Sequence, residues 1–133
     1  EEIYNDPANT FVAQFIGTPK MNILDLKAED IISENKIKFL GNDIKFDKLK
    51  LNKTKHFVGI RPEHLKVNQN TQFTFNPEIE LIENLGNEKI VYMKKDEHQL
   101  SAKIPSNVEI GSSIGFDLND IFIFDENGKR VKS

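Results

Sequence analysis

Few residues in this chain are placed to do chemistry, and the most prominent lie at one strand exit. In Phe57-Val58-Gly59-Ile60-Arg61-Pro62-Glu63-His64-Leu65, a guanidinium and a carboxylate flank a proline. Pro62 has no amide hydrogen to continue a ladder, and it pushes Arg61 towards extended geometry. Residues two apart on an extended backbone share a face, so Arg61 and Glu63 can fork to each other or to a partner. The simpler alternative is a strand end with a charged pair. A second candidate is the loop Leu85-Gly86-Asn87-Glu88. It reads either as a hairpin turn around a permissive glycine or as a contact surface. Arg61, Glu63, Leu85, Gly86, Asn87 and Glu88 make up the candidate interaction surface.

The other polar groups point away from catalysis. His56, His64 and His98 are scattered, without the i, i+4 spacing that puts two ligands on one helix face. Glu78 and Glu80 are expected on one strand face and Glu83 on the other, a solvated edge rather than an acid–base pair. Ser101-Ala102-Lys103 has the hydroxyl and ammonium of a small-anion site, but reads more simply as strand. No Gly-x-x-x-x-Gly-Lys-Ser/Thr loop is present to cradle a triphosphate, and no Leu-Ser-Gly-Gly-Gln stretch. No catalytic, cofactor-binding or metal-binding residue is assigned, and the chain is not expected to be an enzyme by itself.

The 133 residues suit one domain with a real core. The sequence contains no cysteine, so neither a disulfide framework nor thiolate chemistry is available, which fits a reducing cytoplasm. No apolar run reaches bilayer-spanning length and no signal peptide is visible. A net charge of −3 and phenylalanines that alternate with polar residues argue against a nucleic-acid surface. The charge is uneven: Lys36, Lys38, Lys45, Lys48, Lys50, Lys53 and Lys55 face only Asp43 and Asp47 between Lys36 and His56. This segment is either a solvated hairpin face or a docking patch for an acidic partner.

The elements that must position these residues are mostly short strands. Asp6-Pro7 starts a helix, and Ala8, Phe11, Val12, Phe15 and Ile16 form one apolar face before Gly17 and Pro19 end it. The period then changes to two. Lys36 to Leu40 alternates, Gly41-Asn42-Asp43 reads as a turn, and Ile44 to Phe46 resumes. Gly59 is expected to let another backbone come close. Asn68 to Gln72 is a polar loop. Strands follow over Glu78–Leu85, Glu88–Met93, Gln99–Ile104, Ile114–Leu118 and Ile121–Phe124, and Asn127-Gly128 signals a closing hairpin. Many short strands with turns between them imply a small barrel or sandwich.

Several of these motifs resemble one family. Gly59-Ile60-Arg61-Pro62-Glu63 is similar to a segment in the C-terminal regulatory domain of ABC-importer ATP-binding subunits of the maltose and multiple-sugar type. Tyr4, Pro7, Asn9, Phe11-Val12-Ala13, Phe15-Ile16-Gly17, Pro19 and Met21-Asn22 resemble the stretch that leaves the ATPase domain. Glu83-Asn84-Leu85-Gly86-Asn87-Glu88 and the Phe124-Asp125…Gly128-x-Arg130 hairpin resemble two further motifs, in the family's order.

The resemblance implies an all-β fold, a small OB-type barrel (TOBE-like) with one short N-terminal helix. Residues 1–20 would be a connecting segment leaving an absent ATPase domain, and 21–133 the regulatory barrel. The function implied is regulation and dimer contact in a sugar importer, with ATP and Mg handled in the absent domain and no cofactor in this one. The partners implied are a second copy of the subunit, its own ATPase domain, the transporter's membrane subunits and a regulatory protein, with no nucleic acid. The location implied is cytoplasmic, peripheral on the inner face of the cell membrane. The alternatives are a molybdate-like small-anion module and, behind it, an OB-fold nucleic-acid binder.

An isolated helix this short is marginal in water, so its apolar face should pack on the barrel. Phe15→Ala is therefore expected to destabilise the chain by about 3–5 kcal/mol in chemical denaturation. A change under about 1 kcal/mol would mean that the ring is not buried in this domain.

Overall fold

The computed structural model describes residues 7–9, 13 and 19–132. In chain order its strands are β1 (Asn22–Leu26), β2 (Ile31–Ser33), β3 (Lys36–Phe39), β4 (Asn42–Lys45), β5 (His56–Ile60), β6 (Phe73–Phe75), β7 (Glu78–Asn84), β8 (Glu88–Lys95), β9 (His98–Pro105), β10 (Ile114–Phe116) and β11 (Ile121–Phe124). Single 3-10 turns occupy Ala28–Asp30, Pro62–His64 and Leu118–Asp120. The all-β class expected from the strand pattern is what the structure shows. The strands form four antiparallel sheets: β1-β5-β11, β2-β3-β4, β6-β10 and β7-β8-β9. They share a core as in a small OB-like domain, without a closed ring of pairing among the described residues. The helix expected over Pro7–Ile16 lies largely outside the described residues. Within it, the Ala13 amide donates to the Asn9 carbonyl at 3.0 Å.

Strand β5 is central because both of its edges are paired. Val58 faces Leu24 on one side and Ile123 on the other, and Ile60 faces Asn22 and Ile121. Val58 and Ile60 are completely buried. Such a strand reads as a continuous apolar run rather than an alternating one, and Phe57-Val58-Gly59-Ile60 does. Gly59 is tight for a reason other than the expected one. A Cβ there would lie 2.7 Å from Met21 Sδ and 2.8 Å from Phe124 Cε2, so side chains rather than another backbone fill the space.

The β3–β4 hairpin forms as its alternation predicts, but its turn is one step earlier than expected. Leu40 and Gly41 take φ of 49° and 81°, and β4 already begins at Asn42. Two positive φ values make the tight turn that suits hairpin twist. The left-handed conformation costs leucine about 1–2 kcal/mol. Leu40 is nearly buried, and full burial contributes about 1.5–3 kcal/mol, which offsets the strain. The lysine-rich hairpin docks on β6, where Asn42 Nδ2 donates to the Thr74 carbonyl at 3.0 Å. Its lysines from Lys38 onwards are exposed, while Ile37, Phe39, Ile44 and Phe46 enter the core.

The core draws residues from all four sheets. Phe116 is fully buried near its centre, with Phe39, Phe73 and Phe75 rings within 5.5–6.2 Å. A smaller cluster on the other face of the β5 sheet joins Ala13, Met21 and Phe124. Asn22 ties the β1-β5-β11 sheet to the β7-β8-β9 sheet. Its Nδ2 donates to the carbonyls of Ile60 and Ser101 at 3.0 and 2.9 Å, and its Oδ1 accepts from the Ser101 amide at 2.8 Å. This amide side chain stands where a strand would pair with β9. Among the described residues no helix is long and apolar enough to cross a membrane.

Overpacking against well-fitted side chains costs about 1–3 kcal/mol. Gly59→Ala is expected to destabilise the fold by that amount, read as a lower urea midpoint at unchanged slope. An unchanged midpoint would show that Met21 and Phe124 give way freely.

Candidate interaction surface

At the strand exit Arg61 is buried and Glu63 is exposed. Arg61 is extended, with φ −73° and ψ 142°, but Pro62–His64 then closes a 3-10 turn in which Leu65 N–H donates to the Pro62 carbonyl. That turn ends the extended geometry on which a shared face depends. Arg61 is only 2% exposed, and burial lowers its pKa from the usual arginine value. A guanidinium so enclosed cannot fork to an outside partner, so Arg61 belongs to the interior and Glu63 alone reaches solvent.

The turn is held from the C-terminal side. Lys66 exchanges backbone hydrogen bonds with Gly115. Lys66 Nζ lies 2.8 Å from Asp120 Oδ2 and 3.1 Å from Asp117 Oδ2. His64 Nδ1 is 4.0 Å from Asp120 Oδ1. The hydrogen bond to Asp120, with a further one to Asp117, raises the Lys66 pKa despite partial burial. The Gln72 amide, and then Lys66, hold the Asp117 carboxyl below its ordinary value. The arrangement is structural: it fastens the Pro62–His64 turn to the segment leading into β11.

The second candidate, Leu85 to Glu88, is an exposed hairpin turn between β7 and β8. Gly86 has a φ of 91°, the left-handed region that glycine enters at least cost. Leu85 N–H donates to the Glu88 carbonyl, and the Asn87 carbonyl accepts from the Ser106 amide. Glu88 Oε1 lies 3.4 Å from Lys103 Nζ. Strand β9 relates the two candidates. Glu88 pairs with Pro105 at its end, and Glu63 lines a small cleft with Lys103, Ile104 and Pro105. Glu63 and the Leu85–Glu88 turn therefore border one end of β9.

Other candidates are engaged within the fold. The Ser101 amide is bonded to Asn22 and Lys103 faces Glu88, so Ser101-Ala102-Lys103 does not offer an open cationic pocket. His56 is buried with Nδ1 2.9 Å from the Thr54 carbonyl, and His98 packs against the Phe39 ring. The carboxylate pattern on β7 differs from expectation. A bulge between Ile79 and Leu81 shifts the register, so Glu78 pairs with Lys94 and Glu83 with Ile90. Facing residues share a side, so Glu78 and Glu83 lie on one face while Glu80 is the bulged residue.

Sequence reasoning expected a solvated edge here but missed the exposure of the apolar residues of β7. All seven residues from Glu78 to Asn84 are exposed, including Ile79, Leu81 and Ile82 at 37, 60 and 42%. The only signal was the break in alternation at Leu81-Ile82, just after the bulge at Glu80.

Comparison with known proteins gives the context. Over 142 aligned residues the chain is 36% identical to the sn-glycerol-3-phosphate import ATP-binding protein UgpC of Psychromonas ingrahamii, covering 97% of this chain and 36% of that protein. It is 31% identical to the maltose/maltodextrin import ATP-binding protein MalK of Vibrio vulnificus, covering 98% of this chain and 38% of that one. The chain is related to ABC-importer ATP-binding subunits. A third relative, the putative ABC transporter ATP-binding protein MG187 of Mycoplasma genitalium, is 32% identical over 97% of this chain and 22% of its own. The chain thus spans little more than a third of the relatives' length at most. No protein-family model matches it.

The Lys66 network fixes a pH dependence. A raised lysine pKa stabilises below the ordinary 10.5 and loses that contribution as pH climbs through the folded value. A depressed aspartate pKa stabilises above the ordinary 3.8 and loses it as pH falls through the folded value. Lys66→Met is therefore expected to flatten the alkaline decline in stability and to reduce, without removing, the acid decline, since Gln72 still holds Asp117. Urea midpoints measured across pH would contradict this if both declines matched the unmodified chain.

Proposed function

We propose that the chain is the regulatory and dimer-contact domain of the ATP-binding subunit of an ABC importer for sugars or related carbohydrates. The observation that carries this is coverage. Nearly all of the chain aligns, but with only 36–38% of the two importer subunits whose cargo is a sugar or a glycerol phosphate. A domain-sized part of such subunits, built of short strands around one core and lacking the sequence of a phosphate loop, suits control better than catalysis. ATP and Mg belong, on this reading, to a separate ATPase domain, and the whole subunit works in the cytoplasm beneath the transporter's membrane subunits.

The exposed end formed by Glu63 and the Leu85–Glu88 turn is the surface we assign to contact with a second copy or a regulatory protein. A symmetric pair uses one patch twice, so that patch must be self-complementary. The contact can be weak, because tethering each domain to an ATPase raises its effective concentration.

The test is a subunit truncated near Met21 compared with the intact one. The truncated subunit is expected to retain ATP hydrolysis and to lose dimerisation between ATP cycles and the control of transport. If it dimerises, hydrolyses and transports under the same control as the intact subunit, the domain is not regulatory.

A further inference from the structure

Strand β7 overhangs the body of the domain. Among the described residues it is an edge strand, paired only with β8. Ile79 and Ile82 lie opposite Met93 and Val91, which are buried, yet both isoleucines stay about 40% exposed. All seven residues of β7 are exposed, and among the described residues no strand pairs with its outer edge. Exposed edges are usually blunted by proline, lysine or a bulge. Here β7 has no proline and no lysine; its charges are Glu78, Glu80 and Glu83, and its one bulge, at Glu80, leaves Leu81 to Asn84 regular.

We propose that β7 pairs with β7 of a second copy, antiparallel about a two-fold axis at Ile82, joining two three-stranded sheets into one of six. This rests on the dimer-contact reading above and names the strand that makes the contact. The charge pattern selects the register. A two-fold axis perpendicular to a sheet keeps side chains on their own face, so the residue on the axis must face its own copy. Centring on Glu83 sets that carboxylate against itself, and centring on Ile79 or Glu80 puts the bulge at the axis. Like charges directly opposite are destabilising. Centring on Leu81 or Ile82 avoids every Glu–Glu pair. The Ile82 register lies within the regular stretch, and it sets Ile82 against itself and Leu81 against Glu83 twice. Leu81 and Ile82, two of the five large apolar side chains exposed among the described residues, are thereby covered. Two seven-residue strands bury far less than the ~1,600 Å² of a standard interface, so the pairing is weak unless tethered.

The chain has no cysteine, so a single introduced thiol reports one contact. Directly facing strand residues have Cα atoms about 4.5–5.5 Å apart, within disulfide range. Under mild oxidation Ile82→Cys is expected to form a covalent dimer at least tenfold faster than Leu81→Cys or Ile32→Cys, which is on β2 and similarly exposed. Sedimentation velocity on the unmodified chain should show reversible dimers, and Ile82→Lys should weaken them at least tenfold. If the chain dimerises but Ile82→Cys links no faster than Ile32→Cys, self-pairing of β7 is wrong and its edge is left to a different partner. Fastest linking of Leu81→Cys overturns the register. A monomer at every concentration, with no linking, overturns this proposal together with self-association of the domain.

Discussion

Strand β5 has no free edge, and the rest of the domain follows from that. A strand hydrogen-bonded on both sides must be apolar throughout, must pass through the middle, and must end where its ladder ends. Pro62 ends it, since a residue without an amide hydrogen cannot continue a paired strand. The turn this produces encloses Arg61 and turns the chain to run beside β9. With β1 on one side and β11 on the other, β5 also brings the beginning and the end of the described chain together. The Asn127-Gly128 turn follows directly, with Phe124 bridging to Arg130 and Arg130 lying over the Phe122 ring.

Much of the fold was legible because hairpins are local. The strands β7, β8, β9 and β11 begin and end within two residues of where alternation and turn residues put them. Two short strands were not legible. Ile31–Ser33 and Phe73–Phe75 have three residues each, too few for a period, and they are strands only because distant partners pair with them. The Leu40-Gly41 turn was displaced by one because leucine is a poor turn residue by propensity, and burial of its side chain overrides that preference.

The candidate surface was only partly legible. Glycine marked the Leu85–Glu88 turn correctly, since a positive φ is a local demand. Arg61 was misjudged because charge predicts exposure only on average, whereas a central strand carries whatever follows it into the interior. The face pattern of Glu78, Glu80 and Glu83 failed at a bulge, which inverts every parity beyond it. Nor does periodicity reveal an exposed strand: apart from Leu81-Ile82, β7 alternates like a half-buried strand, yet all seven of its residues are exposed.

Asn22 has a mechanical consequence. It is a residue of β1, and its side-chain amide also grips β9. Any pull on the segment before Met21 therefore divides at once, one part running into the ladder with β5 and the other into the β7–β9 sheet. The domain is loaded at a junction rather than at a frayed end. Force carried along the chain would shift the two sheets together as one body, instead of peeling the first strand from its neighbour.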